Sequence, residues 1–110
     1  MQTRPLASLG RYTGPATLIL SSLADGAKHG YALAKDIEQF AGVHLVPGTL
    51  YAALTRLVDQ GLIEPVASDD ERRRPYRITP AGAEALREQL SEQRRVANLG
   101  LRRLAGGTSS

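Results

Sequence analysis

The chain has 110 residues, enough for one domain with a modest core, and is 42% hydrophobic and 23% charged. It has no cysteine, which excludes disulfides, thiolate metal sites and cysteine nucleophiles, and no apolar run reaches the ~20 residues of a membrane span. The net charge of +3 suits a polyanionic partner, and it is unevenly spread: all eleven acids fall at or after Asp25, and Asp69-Asp70-Glu71 directly precedes Arg72-Arg73-Arg74.

Residues Met1 to Thr13 lack the apolar centre of a secretory signal and read as a flexible or weakly helical arm on a cytoplasmic protein. Gly14-Pro15 opens a first helix, with Ala16, Ile19, Leu20 and Leu23 at the spacing of one buried face and Asp25-Gly26 as its end. His29-Gly30 precedes a second helix, about Tyr31 to Ala41. Its inward stripe is Leu33, Ile37 and Phe40, and Gly42 stops it. Val43 to Val46 reads as an extended link, because Pro47 turns the residue before it away from helix. A third helix, about Gly48 to Gln60, sends Leu50, Leu54 and Leu57 toward the core and is capped by Gly61. Ile63 to Ala67 and Pro75 to Ile78 read as short strands joined by a charged loop, Ser68 to Arg74. Thr79-Pro80 then starts a fourth helix that runs to about Ala105, and Gly106 to Ser110 reads as a frayed tail.

These elements predict a mainly α fold with a small two-stranded β-hairpin. The order is that of a winged helix-turn-helix over residues 14–78, followed by a long C-terminal dimerisation helix over 79–105. The third helix carries the chemistry. Its leucines share one side, while Ala52, Thr55 and Asp59 point away, flanked by Thr49, Tyr51 and Arg56. Small and hydroxyl side chains let a helix approach base edges. Thr49 at the helix start suits a phosphate oxygen, Tyr51 offers an amphipathic ring, and Arg56 has the reach for phosphate or guanine. Behind it, Arg72, Arg73 and Arg74 form a basic hairpin tip fit to straddle the sugar-phosphate backbone. Each feature also has a plainer reading: an ordinary amphipathic surface helix, and a solvated turn whose arginines pair with the preceding acids.

No catalytic apparatus is visible. The two histidines, His29 and His44, lack metal-ligand spacing, and Ser21-Ser22 inside the first helix suits packing rather than nucleophilic attack. There is no Gly-rich phosphate loop, nucleophile elbow or paired-carboxylate pattern, so neither a cofactor nor a metal is expected. The fourth helix, about 26 residues and roughly 39 Å long, outruns the core beneath it. Ala83, Leu86, Leu90, Ala97 and Leu104 fall on a heptad-like stripe with Leu101 beside it, interrupted at Gln93 and Gly100. A second copy of the chain is the simplest partner for that stripe, through Leu86, Leu90, Ala97, Leu101 and Leu104.

Taken together, the motifs resemble those of the PadR-type transcriptional regulators in their compact form, over about Gly14 to Leu104. The resemblance rests on His29-Gly30-Tyr31 with Leu33, on Pro47-Gly48-Thr49-Leu50-Tyr51 followed by Ala53-Leu54, Arg56-Leu57 and Gly61-Leu62-Ile63, and on Arg72-Arg73-Arg74, Tyr76 and Thr79-Pro80-Ala81-Gly82. It implies a homodimeric repressor on a roughly palindromic operator, in a bacterial cytoplasm. The dimer would form through the last helix with help from the amino-terminal segment, and a small, often aromatic or drug-like effector would release it. The DNA contacts it implies are Thr49, Tyr51 and Arg56, the wing residues Arg72, Arg73, Arg74 and Tyr76, and Tyr31 and Lys35 against phosphates. The chain departs from the pattern at Ala52, where a proline is frequent, and at Pro75, where a basic or polar residue is common. It also has no tryptophan on which a flat ligand could stack. Two alternatives stand beside this reading: a winged helix that binds protein instead of DNA, and a small enzyme.

Overall fold

A computed structural model describes residues 14–70 and 73–107. Within them the order is α1 (Pro15–Leu23), α2 (Gly30–Ala41), α3 (Pro47–Asp59), β1 (Ile63–Pro65), β2 (Tyr76–Ile78) and α4 (Pro80–Gly107). This is the expected arrangement of helices, hairpin and long last helix. The amino-terminal arm at residues 1–13, Arg72 and the last three residues of the tail lie outside the described residues.

α1 is the centre of the domain. It packs against α2, α3, β2 and α4, and Leu18, Ile19, Leu20, Ser22 and Leu23 are all buried. The single-stripe expectation therefore needs correction: Ala16 is exposed, and Leu18, off that stripe, is inside. A helix enclosed on several sides is apolar nearly all round, so its periodicity is weak. The buried Ser22 hydroxyl donates to Asp36 Oδ2 at 2.6 Å, which joins α1 to α2 and satisfies a polar group in the core. Phe40, expected on the inward stripe of α2, is instead half exposed. Leu33 and Ile37 are fully buried there, and one turn further on it is Ala41 that packs against the core, while Phe40 falls at the rim of the buried arc.

Left-handed glycines end both middle helices, Gly42 at φ +67° after α2 and Gly61 at φ +75° after α3, a conformation that penalises other residues. From α3, Leu50, Ala53, Leu54 and Leu57 enter the core beside Leu33, Ile37 and Ile63. Deleting one such side chain, as in Leu54→Ala, would cost about 2–5 kcal/mol.

The hairpin is antiparallel, with Ile63 opposite Ile78, Glu64 opposite Arg77 and Pro65 opposite Tyr76. Both strands are shorter than expected. The Val66 N–H donates to the Pro75 carbonyl at 2.8 Å, but proline has no N–H to return, and pairing ends there. Lys28 supplies an unanticipated third rung. Its N–H donates to the Tyr76 carbonyl at 3.1 Å, and the Tyr76 N–H donates to the Lys28 carbonyl at 2.9 Å. A single-residue bridge leaves no alternation in sequence, so no pattern announces it.

α4 is anchored by its first turn. The Thr79 hydroxyl accepts from the Gly82 N–H at 3.0 Å and donates to the Gly61 carbonyl at 2.7 Å. Gly82 lies so close to β1 that a Cβ there would overlap the Leu62 carbonyl oxygen and sit 2.9 Å from Ile78 Cγ1. Leu86 completes the core. The helix then continues for several turns to Gly107, past the expected end at Ala105, with Leu90, Val96, Leu99, Leu101 and Leu104 exposed. No helix among the described residues is long and apolar enough to cross a membrane.

Candidate nucleic-acid interface

The outward side of α3 follows from the inward one. With four residues committed to the core, Thr49, Tyr51, Ala52, Thr55, Arg56 and Asp59 are left exposed. The Thr55 hydroxyl donates to the Tyr51 carbonyl at 3.0 Å, so it turns its methyl group and remaining lone pairs outward. The start of α3 is also open. Among the described residues no side chain caps it, and Pro47, its first residue, has no N–H. The early N–H groups of a helix have no partner within it, so those of Gly48 and Thr49 are available to an anion. α1 starts the same way, at an uncapped Gly14 followed by Pro15. The two starts line one groove of about 540 Å³, together with Ala52, Arg56 and Gln60. α2, by contrast, is capped by His29, whose Nδ1 accepts from the Ala32 N–H at 3.4 Å. His44 Nδ1 lies 3.9 Å from Glu38 Oε2 at the surface.

The remaining expected contacts sit on α2 and the hairpin. Tyr31 is 69% exposed, with Lys35 Nζ 5.7 Å from its ring centroid, a cation over an aromatic face. Tyr51 reaches α2 from α3, its phenol lying against the first residue of that helix, Gly30. Residues 28–31 therefore join both sides of the site: Lys28 is bonded to β2 and Gly30 touches α3. Arg73 and Arg74 are exposed at the hairpin tip, in a loop folded by Ser68, whose hydroxyl accepts from the Asp70 N–H at 3.2 Å.

Tyr76 is placed differently from the other wing residues. It is half buried, packs against the core, and uses both backbone groups on Lys28, which ties the wing to the segment before α2. Arg77 carries no sequence motif. It faces Glu64 across the strands, with Nε donating to Oε2 at 2.7 Å, and so part of the wing's positive charge is matched within the hairpin. A strand register would have revealed that pair, but the sequence leaves the register open.

The five side chains expected on the dimer stripe divide between two environments. Leu86 is buried in the chain's own core, because the first turns of α4 lie on the domain, and only its edge reaches the surface. Leu90, Ala97, Leu101 and Leu104 are exposed, within about 60° of one another around the helix at 100° per residue.

Three helices around a buried centre, a short hairpin and an uncovered third helix define a winged-helix protein. Residues 19–88 match the model of the transcriptional regulator PadR-like family, and the chain belongs to that family. Among its relatives, the transcriptional regulator Rv3488 of Mycobacterium tuberculosis is 40% identical over 93 residues, covering 83% of this chain and 82% of that protein. An uncharacterized 37.1 kDa protein in transposon TN4556 of Streptomyces fradiae is 44% identical over 80 residues. Those residues are 73% of this chain but only 23% of the transposon protein. Among solved structures, a PadR family transcription regulator from hypervirulent Clostridium difficile R20291 superposes with a TM-score of 0.74 at 29% identity. The match covers 82% of this chain and 97% of that one.

Proposed function

We propose that two copies of the chain bind a roughly palindromic operator in double-stranded DNA, and that the bound dimer represses transcription in the cytoplasm by excluding polymerase or an activator. The observation that carries this reading is the division of α3, with its leucines buried and Thr49, Tyr51 and Arg56 exposed beside an uncapped helix start. In this account α3 lies in the major groove, and the N–H groups of Gly48 and Thr49 take a phosphate. Arg72, Arg73 and Arg74 follow the backbone from the wing, while Tyr31 and Lys35 meet a flanking phosphate. The exposed stripe of α4 supports the dimer, since Leu101 and Leu104 are largely uncovered among the described residues and Leu90 is only partly covered. Two chains joined there would set two copies of α3 about one helical turn of DNA apart, roughly 34 Å.

A small aromatic effector would act where α4 leaves the domain. Ala24, Ile78, Ala83, Leu86, Arg87 and Leu90 line an open hollow of about 320 Å³ there. A ligand in it would bias the angle of α4 and hence the spacing of the recognition helices, provided it binds the two geometries unequally.

A gel shift with the DNA upstream of the chain's own gene tests the reading. Retardation at low salt that fades as salt rises is expected. No retardation would favour the protein-binding alternative. A reporter behind that DNA should rise when the chain is deleted, and a fall would make it an activator.

A further inference from the structure

Gly30 opens α2 and is buried, although it stands at a helix end beside the highly exposed Tyr31. Its cover is the phenol of Tyr51. A Cβ built on Gly30 would overlap the Tyr51 hydroxyl oxygen and lie 3.0 Å from Tyr51 Cζ. The ring is held along this edge, yet the residue is still 50% exposed. Gly30 and Tyr51 belong to two separate sequence motifs, and in the fold they are the two halves of one contact.

The surroundings decide what a methyl group would do at Gly30. At Gly82 it would strike backbone, which cannot move aside. At Gly30 it would strike the far end of a side chain with open space on its other side, and that side chain can rotate away. Losing the gap therefore changes where Tyr51 points while the core stays as it is. Two residues earlier, Lys28 is bonded to Tyr76 of the wing, so the seat is fixed relative to the hairpin as well as to α2.

We infer that Gly30 is a positioning residue for DNA recognition. The space left by its missing side chain seats the Tyr51 phenol on the first turn of α2 and presents Tyr51, Tyr31 and Lys35 to the duplex as one preset patch. A ring already seated has less rotamer freedom to lose on binding than one that swings. The inference rests on the DNA-binding reading above.

The test compares the parent chain with Gly30→Ala, Tyr51→Ala and the double variant. It reads DNA affinity, melting temperature and the NMR resonances of the Tyr51 ring. Gly30→Ala should lower affinity about tenfold, shift the Tyr51 ring signals and leave cooperative unfolding intact. In the Tyr51→Ala background the same change should cause no further loss, because the group it displaces is gone. The inference is overturned if Gly30→Ala binds DNA like the parent, if the two losses multiply, if the ring signals do not move, or if Gly30→Ala fails to fold. A parent chain that retards no DNA would sink the DNA reading and the positioning role with it. The ring signals would still report whether Gly30 seats Tyr51, which tells the two failures apart.

Discussion

Leu86 and Leu104 lie on the same side of α4, about five turns apart, yet Leu86 is 7% exposed and Leu104 73%. The difference comes from what lies beneath. The first turns of α4 are fastened to the domain by the Thr79 hydroxyl, by Gly82 against the Leu62 carbonyl and by Leu86 in the core. From Gln93 onward the helix has four arginines, Arg94, Arg95, Arg102 and Arg103, no acids, and an apolar side that no other described element covers. Periodicity identifies a helix's apolar side in both halves. It does not say whether the chain itself or a second copy will cover that side.

The sharpest break between the halves should come from adding one methyl group to each. Gly82→Ala forces a Cβ into backbone and should destabilise the fold by about 3 kcal/mol, lowering the melting temperature by roughly 12 °C or more. Gly100→Ala enters open space in the single chain and should raise its helix stability by up to about 1 kcal/mol. Equal effects in thermal denaturation would erase the distinction.

Charge in the outer stripe comes next. Leu90→Glu or Leu104→Glu should weaken self-association at least about tenfold in sedimentation, because an unpaired carboxylate would be buried between the two copies. The melting curve of the dilute chain should hardly change. An intact dimer would move the interface elsewhere.

A smaller effect belongs to the wing. Arg73→Ala should weaken binding to all DNA sequences and lower the log–log salt slope by about 0.9. An unchanged slope would take that arginine off the backbone.

The smallest lies at Asp25, far from both halves of α4 in sequence. The Lys28 ammonium donates to its carboxylate at 2.6 Å, and this hydrogen bond, aided by the lysine's charge, holds the carboxyl below its ordinary pKa. The folded state then binds that proton less readily than the unfolded one. The contribution is present above the ordinary carboxylate value, about 3.9, and is lost as pH falls through the lower folded value. Asp25→Asn should flatten the acid limb of stability slightly, and an unaltered limb would show that the contact is inert.

The element order and both middle helix ends were legible because each has a local cause: Pro15 and Pro47 at starts, Gly42 and Gly61 after ends, Thr79 as a cap. The inward side of α3 was legible because a surface helix buries one stripe. Other features depend on three-dimensional neighbours and leave little local trace. α1 is surrounded, so its stripe misplaced Ala16, and Phe40 has the right spacing but falls at the rim of the arc that α2 buries, where Ala41 packs instead. The Lys28 rung, the Glu64–Arg77 pair and the Gly30–Tyr51 seat each join separate segments whose alignment only the fold sets. Among the candidate contacts, the exposure of Thr49, Tyr51 and Arg56 could be read from the outward arc of a helix. The half-buried placement of Tyr76 could not, since a residue of a three-residue strand gives no sign of which side it faces.

Footprinting the chain on its operator by hydroxyl radical and guanine methylation protection tests the central claim most directly. A dimer that reads DNA through α3 predicts two dyad-related patches of major-groove protection, centred about 10 base pairs apart, both lost when Thr49, Tyr51 and Arg56 are replaced by alanine. Protection that survives those replacements, or that covers one half-site only, would contradict it.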